Sequence, residues 1–113
     1  MKSIVRDVGD VRVVALEGRI TIGAGDVQLR SLVETALTEG RSKVLLDLKA
    51  VTHMDSSGIG EMVGCYTSLT RRGGAMKLVN LPPKISDLLH VTQLITVFDV
   101  FDNEAEALTS FAR

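Results

Sequence analysis

Asp55, Ser56, Ser57 and Gly58 put a carboxylate, two hydroxyls and a residue without a side chain in four consecutive positions. They stand between a strand-like run and a helix-like pattern, where unpaired backbone N–H groups and the helix dipole favour an anion. A phosphate on Ser56 would carry about −1.5 to −2 charges and be stabilised by those N–H groups, while Asp55 beside it would oppose it. The same residues can instead cap the helix, a contribution of roughly 1 kcal/mol. Spacing alone does not choose between a modified serine and a plain cap.

Other candidates are poorer. Gly23-Ala24-Gly25 is half of a phosphate-binding glycine loop without the Gly-Lys-Ser/Thr that completes one. Asp26, next in line, reads as the cap of a following helix. Ser56 lacks the flanking glycines of a nucleophile elbow, and nothing in the chain relates His53 or His90 to it as a base. His53, Cys65, His90 and the scattered carboxylates do not fall at metal-ligand spacing, so no metal and no cofactor is expected. Cys65 sits in mid-helix and reads as buried, inert packing. Gly58, Gly60 and Gly64 read as sites of tight helix-on-sheet packing, since a glycine in a helix costs about 1 kcal/mol relative to alanine and something must offset it.

The elements that would position these groups follow from apolar periodicity. Ser3 to Glu17 carries two β-branched runs separated by Gly9-Asp10, a hairpin signal. Arg19 to Ile22 reads as a short extended piece leading to the Gly23–Asp26 turn. Leu29, Leu32, Val33, Ala36 and Leu37 then keep helical spacing up to Gly40. Lys43 to Leu48 is a nearly continuous apolar run, as in a central strand covered on both faces. Ile59, Met62, Val63, Tyr66 and Leu69 mark a second helix that ends at Arg71-Arg72-Gly73-Gly74. Met76–Val79 is a further strand, Pro83 opens a short helix with Ile85, Leu88 and Leu89 inward, Val97–Phe101 a last strand, and Asn103 with Glu106 the start of a last helix. Residues 1–113 therefore read as one α/β domain: a mixed β-sheet with an N-terminal hairpin and alternating helices. Sites in such sheets favour loops at the carboxyl ends of strands, which selects the loops at Gly23–Asp26 and at Ser56.

Composition narrows the function further. The chain has 45% hydrophobic and 24% charged residues, with 13 Lys plus Arg against 14 Asp plus Glu. That balance, without a basic tract, argues against a nucleic-acid binder held by phosphate contacts and against binding to a membrane surface. A single cysteine and a charged N-terminal stretch without a signal-like apolar core suggest a reducing, cytoplasmic setting, and no apolar run is long enough for membrane insertion.

At Met54-Asp55-Ser56-Ser57-Gly58-Ile59-Gly60 the sequence resembles the STAS family, specifically the bacterial anti-sigma factor antagonists. The resemblance extends over nearly the whole chain. Val11 to Gly18 is similar to the family's early strand ending in glycine, Val44–Leu48 to its central strand, Gly73-Gly74 through Val79 to its next strand, and Glu104–Leu108 to its last helix. The resemblance implies a STAS fold and a partner-switching protein that is not itself an enzyme. Unphosphorylated, such a protein binds an anti-sigma factor with serine kinase activity and so releases a sigma factor. The kinase phosphorylates it, and a PP2C-type phosphatase restores it. The family's acceptor falls on Ser56, with Ser57 at the helix start. Because the two loops are expected at the same end of the sheet, Thr21, Gly23, Asp26, Asp55, Ser56, Ser57 and Gly58 are expected to form one partner-binding face. Where the family commonly carries an acidic residue, this chain has Thr21. The alternative is a STAS subunit of a lipid-transport or stress-sensing complex in which Ser56 is an unmodified cap.

Overall fold

The computed structural model describes residues 1–112. Among them, β1 (Lys2–Val8) and β2 (Val11–Ile20) form the expected hairpin about Gly9-Asp10, pairing antiparallel from Lys2 opposite Glu17 to Val8 opposite Val11. β3 (Lys43–Met54), β4 (Ala75–Val79) and β5 (Asp99–Phe101) add on in parallel, so the strands lie in sequence order across one mixed sheet. The connections are α1 (Gly25–Thr38), α2 (Ser56–Arg71) and α3 (Pro83–Val91), the last continued by a 3-10 turn at Leu94–Thr96; α4 (Glu104–Phe111) closes the described chain.

Two cores explain why Val44, Leu45 and Leu46 are all buried in succession, as a strand covered on both faces requires. On one face Val14, Leu46 and Leu78 meet Leu29 and Val33 of α1, Met62 and Leu69 of α2, and Ile85 and Leu89 of α3. On the other, Val13, Leu45 and Val79 meet Ala107 and Phe111 of α4. Lys77 clamps α4 in place: its ammonium lies 4.8 Å from the Phe111 ring centroid and 5.8 Å from that of Phe101, and donates to Ser110 Oγ at 2.8 Å. Arg12 fastens the hairpin to the end of α1 by a bidentate pair with Asp7 at 2.9 and 3.1 Å and a bond to Glu39 at 2.6 Å.

Several boundaries differ from the sequence expectation. Arg19 and Ile20 are the end of β2 rather than a separate piece, and β3 runs on past Leu48 to Met54; register shifts between Ala15 and Glu17 and between Gly18 and Arg19 occur where the two strands stay paired over this extension. The early strand accordingly does not stop at Gly18. β5 begins at Asp99, because Val97 caps the 3-10 turn, its N–H donating to the Leu94 carbonyl at 2.9 Å. Asp26 is not the cap of α1. Ala24 holds that position without a side-chain bond, and Asp26 sits inside the first turn with its carboxylate accepting the Val27 N–H at 2.7 Å.

The glycines of α2 divide. A methyl on Gly58 would collide with the Ile20 carbonyl and stand 3.0 Å from Met54 Cγ, so Gly58 is the close-packing residue it was expected to be. Gly60 and Gly64 are not: both are exposed, with nothing within 4 Å of the methyl either would bear. We therefore expect opposite effects from one substitution. In urea unfolding, Gly60→Ala and Gly64→Ala raise stability by up to about 1 kcal/mol each through helix propensity, whereas Gly58→Ala lowers it by about 1–3 kcal/mol through overpacking against β2. Equal changes at the three positions would contradict this placement.

Candidate partner-binding surface

β2 and β3 end side by side, with Ile20 opposite Met54, and each is followed at once by a turn and a helix start. This brings the loop before α1 and the loop before α2 to the same end of the sheet. The first is a tight turn in which the Thr21 carbonyl accepts the N–H of Ala24 at 3.3 Å and of Asp26 at 3.2 Å, with Gly23 at a left-handed φ of 78°. The second has Asp55 in extended conformation as the cap of α2.

One carboxylate joins the two. Asp55 Oδ1 accepts the N–H of Gly58 at 2.9 Å, the standard bond of a helix cap. Its Oδ2 accepts the N–H of Ile22, in the other loop, at 3.0 Å. Both oxygens are thus engaged by backbone donors, and the Gly58 N–H first, then that of Ile22, holds the Asp55 carboxyl below its ordinary value. Steric closeness reinforces the joint. Gly58 abuts the Ile20 carbonyl, and Gly25, the first residue of α1, lies so near the Arg19 carbonyl that a methyl there would collide with it. Both helices therefore start directly on the last two residues of β2.

On this framework Ser56 is the first residue of α2 rather than a residue of the turn before it, and its side chain is exposed; Ser57 is half-buried and Gly58 buried. Two of the amides at this helix start are already in use. The Gly58 N–H is taken by the Asp55 side chain and the Ile59 N–H by the Asp55 carbonyl at 3.0 Å. Of the candidate residues, Thr21 and Asp26 are half-buried and Gly23 is exposed, all three in or beside the first loop, and Asp55–Gly58 form the second. Sequence reasoning brought these segments to one end of the sheet but missed the bond that links them. It also missed Ile22 and Val27, apolar residues of the first loop and helix that are 73% and 53% exposed. Their signal was their failure to match the inward spacing that starts at Leu29.

Cys65 is buried on α2, and burial, with the nearby Glu61 carboxylate, pushes its thiol up to about 12, which makes it the inert packing residue expected. His53 lies exposed on β3 and His90 on α3, where His90 Nδ1 bonds to the Ser86 carbonyl at 2.8 Å.

The Asp55 joint gives a pH signature. A carboxylate whose folded value is depressed stabilises the native state at pH above its unfolded value, about 4, and this contribution is lost as pH falls through the folded value. Asp55→Ala is expected to lower the melting temperature at pH 7 and to narrow its gap from the wild type as the pH drops below about 4. A gap that stayed constant down to pH 2 would remove the carboxylate's charge from this role.

Comparison with known proteins places the chain. The family model described as STAS domain matches residues 2–107. The anti-sigma F factor antagonist of Paenibacillus polymyxa is 30% identical over 99 residues, covering 88% of this chain and 85% of that protein. Among solved structures, the Thermotoga maritima protein TM1081 superposes with a TM-score of 0.91 at 24% identity, covering 98% of this chain and 95% of that one. The Bacillus cell fate determinant SpoIIAA in its phosphorylated form superposes with a TM-score of 0.75 at 22% identity, covering 96% and 98%. With its mixed sheet, its hairpin and the Asp-Ser-Ser-Gly start of α2 all in place, the chain belongs to the STAS domain family.

Proposed function

We propose that this protein is an anti-sigma factor antagonist that binds an anti-sigma factor with serine kinase activity, and that phosphate on Ser56 switches this binding off. The observation that carries the reading is the exposed Ser56 hydroxyl at the head of α2, set on a surface built jointly with the loop before α1. The similarity to the Paenibacillus polymyxa antagonist supplies the class of partner. In this reading the chain does no chemistry of its own. The kinase removes the Ser56 proton, a bond forms between Ser56 Oγ and the γ-phosphorus of ATP, and the bond to the ADP oxygen breaks. A PP2C-type phosphatase returns the hydroxyl by hydrolysis. The setting is the cytoplasm; among the described residues no helix is long and apolar enough to cross a membrane.

The local bonding explains how a phosphate would alter binding without altering the fold. Because Asp55 already occupies the Gly58 N–H, that donor is not open to the phosphate. The added charge stays at the surface, where water solvates it in the free protein. In a complex it must be desolvated or paired, and it faces whatever acidic groups the partner presents. An unpaired interfacial charge of this kind costs about 2–4 kcal/mol, roughly 30- to 1000-fold in affinity.

Two measurements test this. Incubation with ATP and the anti-sigma factor, followed by mass spectrometry, is expected to find phosphate on Ser56 and none in Ser56→Ala; phosphate mainly on Ser57 would move the switch. Calorimetric titration of the anti-sigma factor is expected to give the affinity loss above for the phosphorylated protein and a smaller loss for Ser56→Asp, which carries one charge and fewer oxygens. Equal affinity of the two forms, or tighter binding of the phosphorylated one, would defeat the proposal.

A further inference from the structure

Ile22 and Val27 carry no part of either core, yet both are large apolar side chains set in water at the same end of the molecule as Ser56. A single exposed valine, such as Val91 at the far end of α3, calls for no explanation. Two beside a candidate modification site do. Their positions are fixed rather than loose. Ile22 is held through its N–H to the carboxylate that caps α2. Val27 lies on α1 one turn before Arg30, whose guanidinium grips Glu61 of α2 with two bonds at 2.9 and 2.7 Å. The residue before Glu61 is Gly60, an exposed helix position with open space where a side chain would be. The surface therefore has two apolar projections that packing within the chain does not require.

The charge at its border indicates what it fits. Arg19 lines a depression of about 520 Å³ together with Lys2 and Glu17 of the hairpin and Thr21 and Ala24 of the loop. Arg19 is paired in register with His53, and Lys84 at the start of α3 stands close enough to His53 that, with Arg19, it holds the imidazole below its ordinary value. Among the described residues neither Arg19 nor Lys84 has a carboxylate oxygen within 4.0 Å. Asp26 and Asp55, the carboxylates of the two loops, are turned to backbone N–H groups.

We propose that Ile22 and Val27 form the apolar anchor of the partner complex, entering a cleft of the anti-sigma factor that has an apolar floor and a rim of carboxylates facing Arg19 and Lys84. This rests on the functional reading above and deepens it, since it makes the anchor, and not only the Ser56 hydroxyl, the source of affinity. It also gives the phosphate a second action: a dianion on Ser56 confronts the acidic rim that the unmodified surface attracts.

The test is calorimetric titration of the purified anti-sigma factor that binds the wild-type protein, using Ile22→Ser, Val27→Ser and, as a control of equal chemistry, Val91→Ser, each checked for fold by circular dichroism. Loss of a buried anchor lowers affinity by at least about 30-fold, while Val91→Ser is expected to change it less than about twofold. Lys84→Glu is expected to slow association at low salt and to matter less at high salt. Wild-type affinity in both Ile22→Ser and Val27→Ser, or an equal loss in Val91→Ser, would overturn the anchor and leave the functional reading standing. Failure of the wild-type protein to bind any anti-sigma factor would remove both.

Discussion

The two oxygens of Asp55 hold together the two loops that follow β2 and β3. One satisfies the otherwise unpaired N–H of Gly58 at the head of α2; the other reaches across to Ile22 in a loop 33 residues earlier in the chain. Neither bond alone would be unusual, since helix starts are commonly capped by aspartate. Together they make the cap of one helix the tether of the loop that leads into another. The steric arrangement agrees with the polar one: Gly25 and Gly58 let both helices begin against the last residues of β2, and a side chain at either position would push a helix start away and lengthen the Asp55 bonds.

This arrangement accounts for how modification could act on so small a domain. A serine at the first position of a well-capped helix offers its hydroxyl to an enzyme, and the Gly58 amide beneath it is already bonded to Asp55. In the proposed reading, a phosphate there acts on whatever binds the surface. The sheet's other face is remote from these events. It is sealed by α4, through Ala107, Phe111 and the Lys77 clamp, and supplies stability without contributing to the candidate surface.

Much of this was legible in the sequence because short-range chemistry decided it. The Gly9-Asp10 turn, the continuous apolar run at Val44–Leu46, the proline at the start of α3 and Asn103 as a cap all appear where local propensity puts them, Asn103 accepting the Glu106 N–H at 3.1 Å. What was misread depended on partners distant in the chain. Residues 49–54 gave no strand signal in the sequence, yet pairing with β2 keeps them extended. Asp26 has the chemistry of a cap, but the close approach of Gly25 to β2 starts the helix earlier. Gly60 and Gly64 looked like packing residues because glycine is costly in a helix, and only three-dimensional placement shows them facing outward. The Asp55 to Ile22 bond had no sequence signal, because nothing local relates the two residues.

The central claim, that one ionised carboxylate organises both loops, is tested most directly by following the backbone amides of Ile22 and Gly58 by NMR through an acid titration. The two resonances are predicted to shift together, with one apparent pKa below the ordinary aspartate value, and to lose that transition in Asp55→Asn. Separate transitions for the two amides, or a shared one at the ordinary aspartate value, would contradict it.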